Sequence, residues 1–332
     1  MVSEDWPSVS VVMPVRDEAD HLEAAVQAVL DQDYPRPLEV VLAIAPSSDA
    51  TVEVARGLAD RDDRLVLVDN PAGGTAAGLN AAIHASGGEV IVRVDGHAEL
   101  SDGYVRRAVE QLLATGADNV GGIQRAVGDS PMQRAIAAAM TSPFGVGDAR
   151  FHYGGDAGPV DTVYLGVFRR SALDRVGGYD ETLVRNQDYE LNWRLRDTGG
   201  VVWFDPDLVV TYRPRATLRA LARQYHEYGQ WKRVVVARDP DSVRWRQLVP
   251  PVTVVGTILG LVIGMLRWRP ALLAPATYLI ATLVAARAAA ADWSTRLRLP
   301  AVFATMHHAW GLGFLRGTAD PQSVRKPLDR QL

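Results

Sequence analysis

What most restricts the fold of this chain is the rhythm of its N-terminal third, where strand-like apolar runs alternate with helical patterns. Val9 to Val15 reads Val-Ser-Val-Val-Met-Pro-Val, then comes the polar Arg16-Asp17-Glu18, then apolar residues at helical spacing, Leu22, Val26, Val29 and Leu30. Glu39 to Ile44 repeats the strand, Ala45-Pro46-Ser47-Ser48 the loop, and Asp49 stands as the N-cap of a helix through Thr51, Val54, Ala55 and Leu58. Leu65 to Val68 is a third strand. After the loop Asn70-Pro71-Ala72-Gly73-Gly74, the run Gly78-Leu79-Asn80 leads a small-residue helix to His84, and Val90 to Val94 is a fourth strand. This alternation predicts an α/β fold built on a mainly parallel central sheet. Open sheets of this kind bind ligands beyond the carboxyl ends of their strands, so the residues that stop each strand are the first site candidates.

The fourth strand stops at Asp95-Gly96-His97. Two readings stand: a turn whose residues suit the backbone, or a carboxylate and an imidazole facing one divalent ion whose open positions take phosphate oxygens. Asp17 and Glu18 likewise read as first-turn acids favoured by the helix dipole, or as polar groups at a ligand-facing strand end. The glycines form neither G-x-G-x-x-G nor a Walker loop, so hydride transfer and ATP hydrolysis lack their usual markers. A net charge of -4 provides no basic field to collect nucleic acid, and the absence of cysteine excludes disulfides and thiolate metal sites. Glu4 and Asp5 lead into the first strand with no apolar signal core, so the first domain is expected in the cytoplasm.

Apolar residues concentrate further along. Leu248 to Leu266 is nearly uncharged, and Pro270 to Ala291 is broken only by Arg287. Both lengths suit a hydrocarbon layer of about 30 Å, and both also suit buried helices of a soluble domain. Arg267, Trp268 and Arg269 between them read as an interfacial anchor, which favours the membrane. Leu299 to Leu315, with His307 and His308 in its middle, reads as a crossing, interfacial or packed core helix, leaving two or three crossings. Before these, Leu218, Leu221, Tyr225, Tyr228 and Trp231 recur at helical spacing among Arg219, Arg223, Lys232 and Arg233. That pattern fits an amphipathic helix at an anionic lipid interface, or one packed on the first domain. The division expected is 1–215 catalytic, 216–247 amphipathic linker, 248–317 membrane-associated helices and 318–332 tail.

Taken in order, several segments resemble one family. They are Val11-Val12-Met13-Pro14-Val15-Arg16-Asp17-Glu18, Ser48-Asp49-Ala50-Thr51, Gly78-Leu79-Asn80, Gly88-Glu89-Val90-Ile91 and Asp95-Gly96-His97. Gly166-Val167-Phe168-Arg169-Arg170, Gly177-Gly178-Tyr179-Asp180-Glu181 and Asn186-Gln187-Asp188-Tyr189-Glu190-Leu191 follow. From about Ser8 to Tyr212 the chain resembles the GT-A nucleotide-diphospho-sugar glycosyltransferases of family 2, and within them the succinoglycan-type exopolysaccharide transferases, which carry membrane helices after the catalytic domain. The resemblance implies a GT-A fold and an inverting, metal-dependent transfer of a sugar from a nucleotide diphosphate to a lipid-linked acceptor, at the cytoplasmic membrane.

By the same resemblance, Pro14, Val15, Arg16, Asp17, Glu18, Asp49, Asn80 and Asp95 would bind the nucleotide sugar. Asp95 and His97 would hold the metal, and Asp188 would be the base that takes the acceptor's proton. Gly166, Asp180, Gln187, Gln230, Trp231 and Arg233 would lie on the acceptor or diphosphate side. Without the resemblance, Asp188 reads as a helix-capping acid; as a base in a first turn, it is expected to be kept ionised by the helix dipole. His152 and Tyr153 fall in the family's acceptor region or are loop residues.

The departures matter too. Ile44-Ala45-Pro46 stands where many members carry an acid that contacts the base, so uridine is only the family default. His97 replaces the second acid of the usual Asp-x-Asp, which predicts Mn²⁺ over Mg²⁺. Gln230-Trp231-Lys232-Arg233-Val234 keeps Q-x-x-R but lacks the tryptophan of processive members, and a single-sugar transferase is expected. Two rival functions are a transferase acting on polyprenyl phosphate itself and a catalytically silent membrane scaffold.

Overall fold

A computed structural model of the chain describes residues 6–290 and 292–317. Glu4, Asp5, Ala291 and the expected tail 318–332 lie outside the described residues. The chain runs through β1 (Val9–Val15), α1 (Leu22–Leu30), β2 (Glu39–Ile44), α2 (Thr51–Ala59), β3 (Leu65–Asp69), α3 (Thr75–Ala85), β4 (Val90–Arg93), β5 (Glu99–Leu100), α4 (Tyr104–Thr115) and β6 (Asn119–Ala126). It continues through α5 (Pro131–Met140), α6 (Pro143–Val146), β7 (Gly158–Pro159), β8 (Tyr164–Arg169), α7 (Arg170–Val176), α8 (Gln187–Asp197) and β9 (Val202–Tyr212). Four helices follow: α9 (Leu218–Arg238), α10 (Trp245–Leu266), α11 (Leu273–Ala289) and α12 (Trp293–Arg316).

The residues group into two compact units, Met1–Arg125 with Gly154–Tyr212, and Ala126–Tyr153 with Arg213–Leu332. Ala126–Tyr153, which carries α5 and α6, thus groups with the C-terminal helices, a division that the expected boundary at residue 215 does not contain. The cause lies in packing: the apolar face of α5, with Ala135, Ile136 and Ala139 fully buried, is laid against α12.

In the first unit nine strands form one sheet, ordered β3-β2-β1-β4-β8-β6-β9-β5 with β7 on β9. The strands β3, β2, β1 and β4 are parallel, as their helical crossovers require, and β8 joins β4 antiparallel. Strand alternation divides the core in two. Val90, Val92 and Val94 face α1 and α4 with Leu22, Val26 and Val105, whereas Ile91 faces α3, α7 and α8 with Leu79, Leu173, Leu191 and Leu195. Pro14 sits in a central strand without breaking it. The Val12 carbonyl accepts from Val94 on the β4 side, so the nitrogen of Pro14, two residues on, points to that side, where β4 has already ended at Arg93.

In the second unit α12 is the central helix. Leu299, Val302, Phe303 and Met306 are buried, which makes the third apolar stretch a packed core helix of this unit. α9 runs close against it because glycines remove the side chains that would separate the backbones. A Cβ on Gly229 would collide with the carbonyl of Trp310, and one on Gly313 with that of His226. The buried stripe of α9, Leu221, Tyr225, Gly229, Lys232 and Val235, follows the helical repeat. Among the described residues two helices are long and apolar enough to cross a membrane, Trp245–Leu266 and Arg269–Ala289, and both present large apolar residues outward, Val252, Ile258, Leu266, Leu273, Ile280 and Val284 among them.

Candidate active site

The alternation that places Ile91 on the α8 face puts Arg93 and Asp95 there as well. Arg93 ends β4 with its side chain 6% exposed, and a buried guanidinium left unpaired would cost about 3–5 kcal/mol. Two carboxylates pair it. Nη2 lies 3.0 Å and Nε 3.3 Å from Oδ1 of Asp95, and Nη1 donates to Oδ1 of Asp188. Asp95 and Asp188 are therefore neighbours across a single side chain. Arg93 was not among the residues singled out in the sequence. Its only signal there is one charge in an otherwise apolar strand.

Asp188 is set by the start of α8. Asn186 takes a left-handed backbone at φ 63°, which asparagine tolerates, and the helix begins at Gln187 with Asp188 in its first turn, as the pattern of Tyr189, Leu191, Trp193 and Leu195 predicts. The helix is held independently of Asp188: Leu191 and Leu195 are fully buried, and the Glu190–Arg194 pair closes at 2.6 Å while Arg194 binds the carbonyls of Val176 and Gly178. Burial among the packed side chains pushes the Asp188 carboxyl above its ordinary range, with Arg93 opposing the rise and Asp95 adding to it.

The loop after β1 forms a second cluster. Asp17 adopts a left-handed backbone at φ 53°, and its Oδ1 accepts from the Ser48 amide at 2.6 Å and hydroxyl at 3.0 Å, which holds its carboxyl below the usual range. Glu18 donates its amide to Thr51 Oγ1 at 2.8 Å, and Asp49 accepts from the amides of Ala19 and Thr51, both at 3.1 Å. Helix α2 thus starts at Thr51 with Ala50 at the N-cap position, and Asp49 caps from one residue further out than the sequence suggests. Arg16 pairs with Asp17 at 3.5 Å and remains largely exposed, beside the loop glycine Gly73.

Asp95 and His97 do not converge as a closed metal cage. Asp95 Oδ1 accepts from Arg93, His97 Nδ1 lies 2.7 Å from Glu18 Oε1, and no group of three His, Asp or Glu side chains able to hold a metal occurs among the described residues. The donor set fits an ion of a different kind: one carboxylate and one imidazole, 22% and 43% exposed, suit a cation shared with a substrate's phosphate oxygens.

Other expected site residues are occupied structurally. The Asn80 amide donates to the Tyr179 carbonyl at 2.9 Å and to Glu181 at 2.8 Å and accepts from the Tyr179 amide at 2.9 Å, so it ties down the Gly178-Tyr179-Asp180-Glu181 loop. Asp180 holds Thr182 through amide and hydroxyl. Gly166 has φ 38°, and a Cβ there would strike the Phe168 ring and Asn119. Gln187 is buried as the first residue of α8.

In the second unit, Gln230 and Arg233 differ from their expected role. Gln230 Nε2 binds the Gly317 carbonyl at 2.9 Å, and Arg233 Nη1 binds those of Phe314 and Leu315 at 3.2 Å each. They cap the C-terminal carbonyls of α12, which a helix cannot satisfy by itself. Trp231, between them on α9, is partly buried. Burial and the nearby Arg246 push His152 down to about 3, which leaves it neutral at pH 7, beside the Phe151 ring.

A mixed α/β sheet whose central parallel strand leads into an aspartate, with a second acid presented by a following helix, is the arrangement of the GT-A class of nucleotide-sugar transferases. The description of glycosyl transferase family 2 matches residues 10–177, and the chain belongs to that family. It is similar to the succinoglycan biosynthesis protein ExoA of Rhizobium meliloti (strain 1021), with 32% identity over 96% of this chain and 98% of that protein. In fold it is similar to the mannosyltransferase PcManGT from Pyrobaculum calidifontis, solved with GDP-Man and Mn²⁺ (TM-score 0.63, 20% identity, 94% of this chain and 87% of that one). GalNAc-T7, solved with UDP, GalNAc and Mn²⁺, shares the fold over 72% of this chain and 52% of its own (TM-score 0.51, 15% identity).

Proposed function

We propose that this glycosyltransferase moves one sugar from a nucleotide diphosphate to a lipid-linked saccharide at the cytoplasmic face of a membrane, with inversion at the anomeric carbon. The observation that carries the reading is the meeting of Asp95 and Asp188 on Arg93 at the carboxyl end of β4, where a sugar nucleotide can have an acid on each side of its reacting carbon. The acceptor hydroxyl oxygen forms the new bond to C1, the C1–O bond to the diphosphate breaks, and the hydroxyl proton passes to Asp188. Asp188 is 39% exposed, open enough to meet an acceptor, and its raised proton affinity suits proton uptake. Asp95 and His97 would hold a divalent ion, Mn²⁺ in preference to Mg²⁺, which when bound neutralises the departing diphosphate. Arg16, Asp17, Glu18 and Asp49, with the strand end Pro14-Val15, line the nucleotide side; UDP is the family's default donor, and the GDP-Man of PcManGT keeps guanosine open.

The acceptor and the membrane are supported by the ExoA likeness, by the outward apolar faces of α10 and α11, and by Trp245 and Trp268 exposed at the ends of α10. The run Gln230-Trp231-Lys232-Arg233-Val234, which lacks the tryptophan of processive members, supports single-sugar transfer. The test is a panel of UDP- and GDP-sugars incubated with the full chain, Mn²⁺ and membrane-lipid extract, with nucleotide release and lipid-linked product measured. A lipid-linked saccharide lengthened by one sugar in the inverted configuration is expected. A phosphodiester-linked sugar would move the acceptor to polyprenyl phosphate. No nucleotide release with any donor would leave the silent scaffold standing.

A further inference from the structure

The transfer reading has work for Asp95 and Asp188 but none for the guanidinium between them. Arg93 lies in a central strand between the fully buried Val92 and Val94, where an apolar residue would serve the core better. Its guanidinium is planar and rigid, with donors in fixed directions, so carboxylates bound at its two ends are held at a set separation and tilt. A lysine ammonium, a single charge on a flexible stem, imposes neither.

Asp188 has no other hydrogen-bond partner among the described residues, while α8 is anchored by Leu191, Leu195 and the Glu190–Arg194 pair. The helix therefore keeps its place without Arg93, and what Arg93 sets is the direction of the Asp188 carboxylate. We infer that Arg93 is a positioning residue that aims Asp188 at the acceptor hydroxyl by tying it to Asp95 on the donor side. This rests on the transfer reading above. Arg93 contacts Asp95 through Oδ1 alone, which leaves Oδ2 to serve the donor while the tie is kept.

The test compares wild type, Arg93→Lys and Arg93→Ala as full-length chains, by steady-state kinetics with an active donor and by Tm with and without nucleotide. Arg93→Lys keeps the buried charge and so tests the inference at a smaller cost in stability than Arg93→Ala. It is expected to lower kcat about 100-fold, the effect of a small misplacement of a reacting group, with donor KM within about threefold of wild type. Added methylguanidinium is expected to restore part of the activity of Arg93→Ala. A kcat for Arg93→Lys within about threefold of wild type overturns the inference, and so does a loss shared by donor KM and Tm, which marks a role in folding alone. A wild type that turns over no donor fails the transfer reading and takes this inference with it; an active wild type with an unaffected lysine variant fails this inference only.

Discussion

Asp95 and Asp188, far apart in the chain, bind opposite ends of one guanidinium. Asp95 takes Nη2 and Nε of Arg93, and Asp188 takes Nη1. Two carboxylates this close would repel without the cation between them, and the cation would be uncompensated in the core without them. The trio thus joins a strand end to a helix start and leaves both acids partly open to solvent.

Removing the carboxylate that accepts the proton should stop the reaction without emptying the site. Asp188→Asn is expected to lower kcat by about 10²–10⁴-fold while nucleotide still raises Tm as it does for wild type. Retained turnover would assign the proton to another group.

Activity and stability should respond to pH in opposite directions. Burial raises the folded pKa of Asp188 above its unfolded value. Its linked contribution to stability is then full below the unfolded pKa and is lost as pH rises through the folded one. Turnover needs the ionised form, so kcat rises across the same window, and its acid limb is expected above the ordinary aspartate value. A pH–rate profile beside Tm measured against pH checks both, and an acid limb at or below that value removes Asp188 from the limb.

Chelation is expected to abolish transfer, and Mn²⁺ to restore it at lower concentration than Mg²⁺, because an imidazole tolerates Mn²⁺ better than Mg²⁺. His97→Asp should narrow the gap between the two metals. Manganese binding followed by electron paramagnetic resonance gives the same comparison without turnover, and equal response to both metals at limiting concentration would count against the pair.

Gln230→Ala separates capping from chemistry. If the side chain only closes the end of α12, its loss costs about 1 kcal/mol of stability and leaves kcat within about twofold. A large fall in kcat at unchanged Tm would restore Gln230 to the acceptor side. In the same unit, Gly313→Leu would drive a side chain into the His226 backbone and is expected to cost about 1–3 kcal/mol or more, read as a lowered Tm in detergent.

The sequence by itself determined the alternation of the first four strands with their helices, the α/β class, the strand that leads to Asp95, the first-turn position of Asp188 and the two apolar helices. These follow from short-range periodicity, which depends on nothing distant in the chain. Family membership was legible too, because ordered motifs survive where overall identity is low. Tertiary structure alone decided which partners the polar groups found. It spent Asn80 on a loop and Gln230 and Arg233 on the end of α12, returned Ala126–Tyr153 to the C-terminal helices, and made α12 a core helix. It also raised the proton affinity of Asp188 by burial and set Arg93 between the two acids. Hydrogen-bond pairing and desolvation depend on which segments meet in space, and a linear pattern does not contain that information.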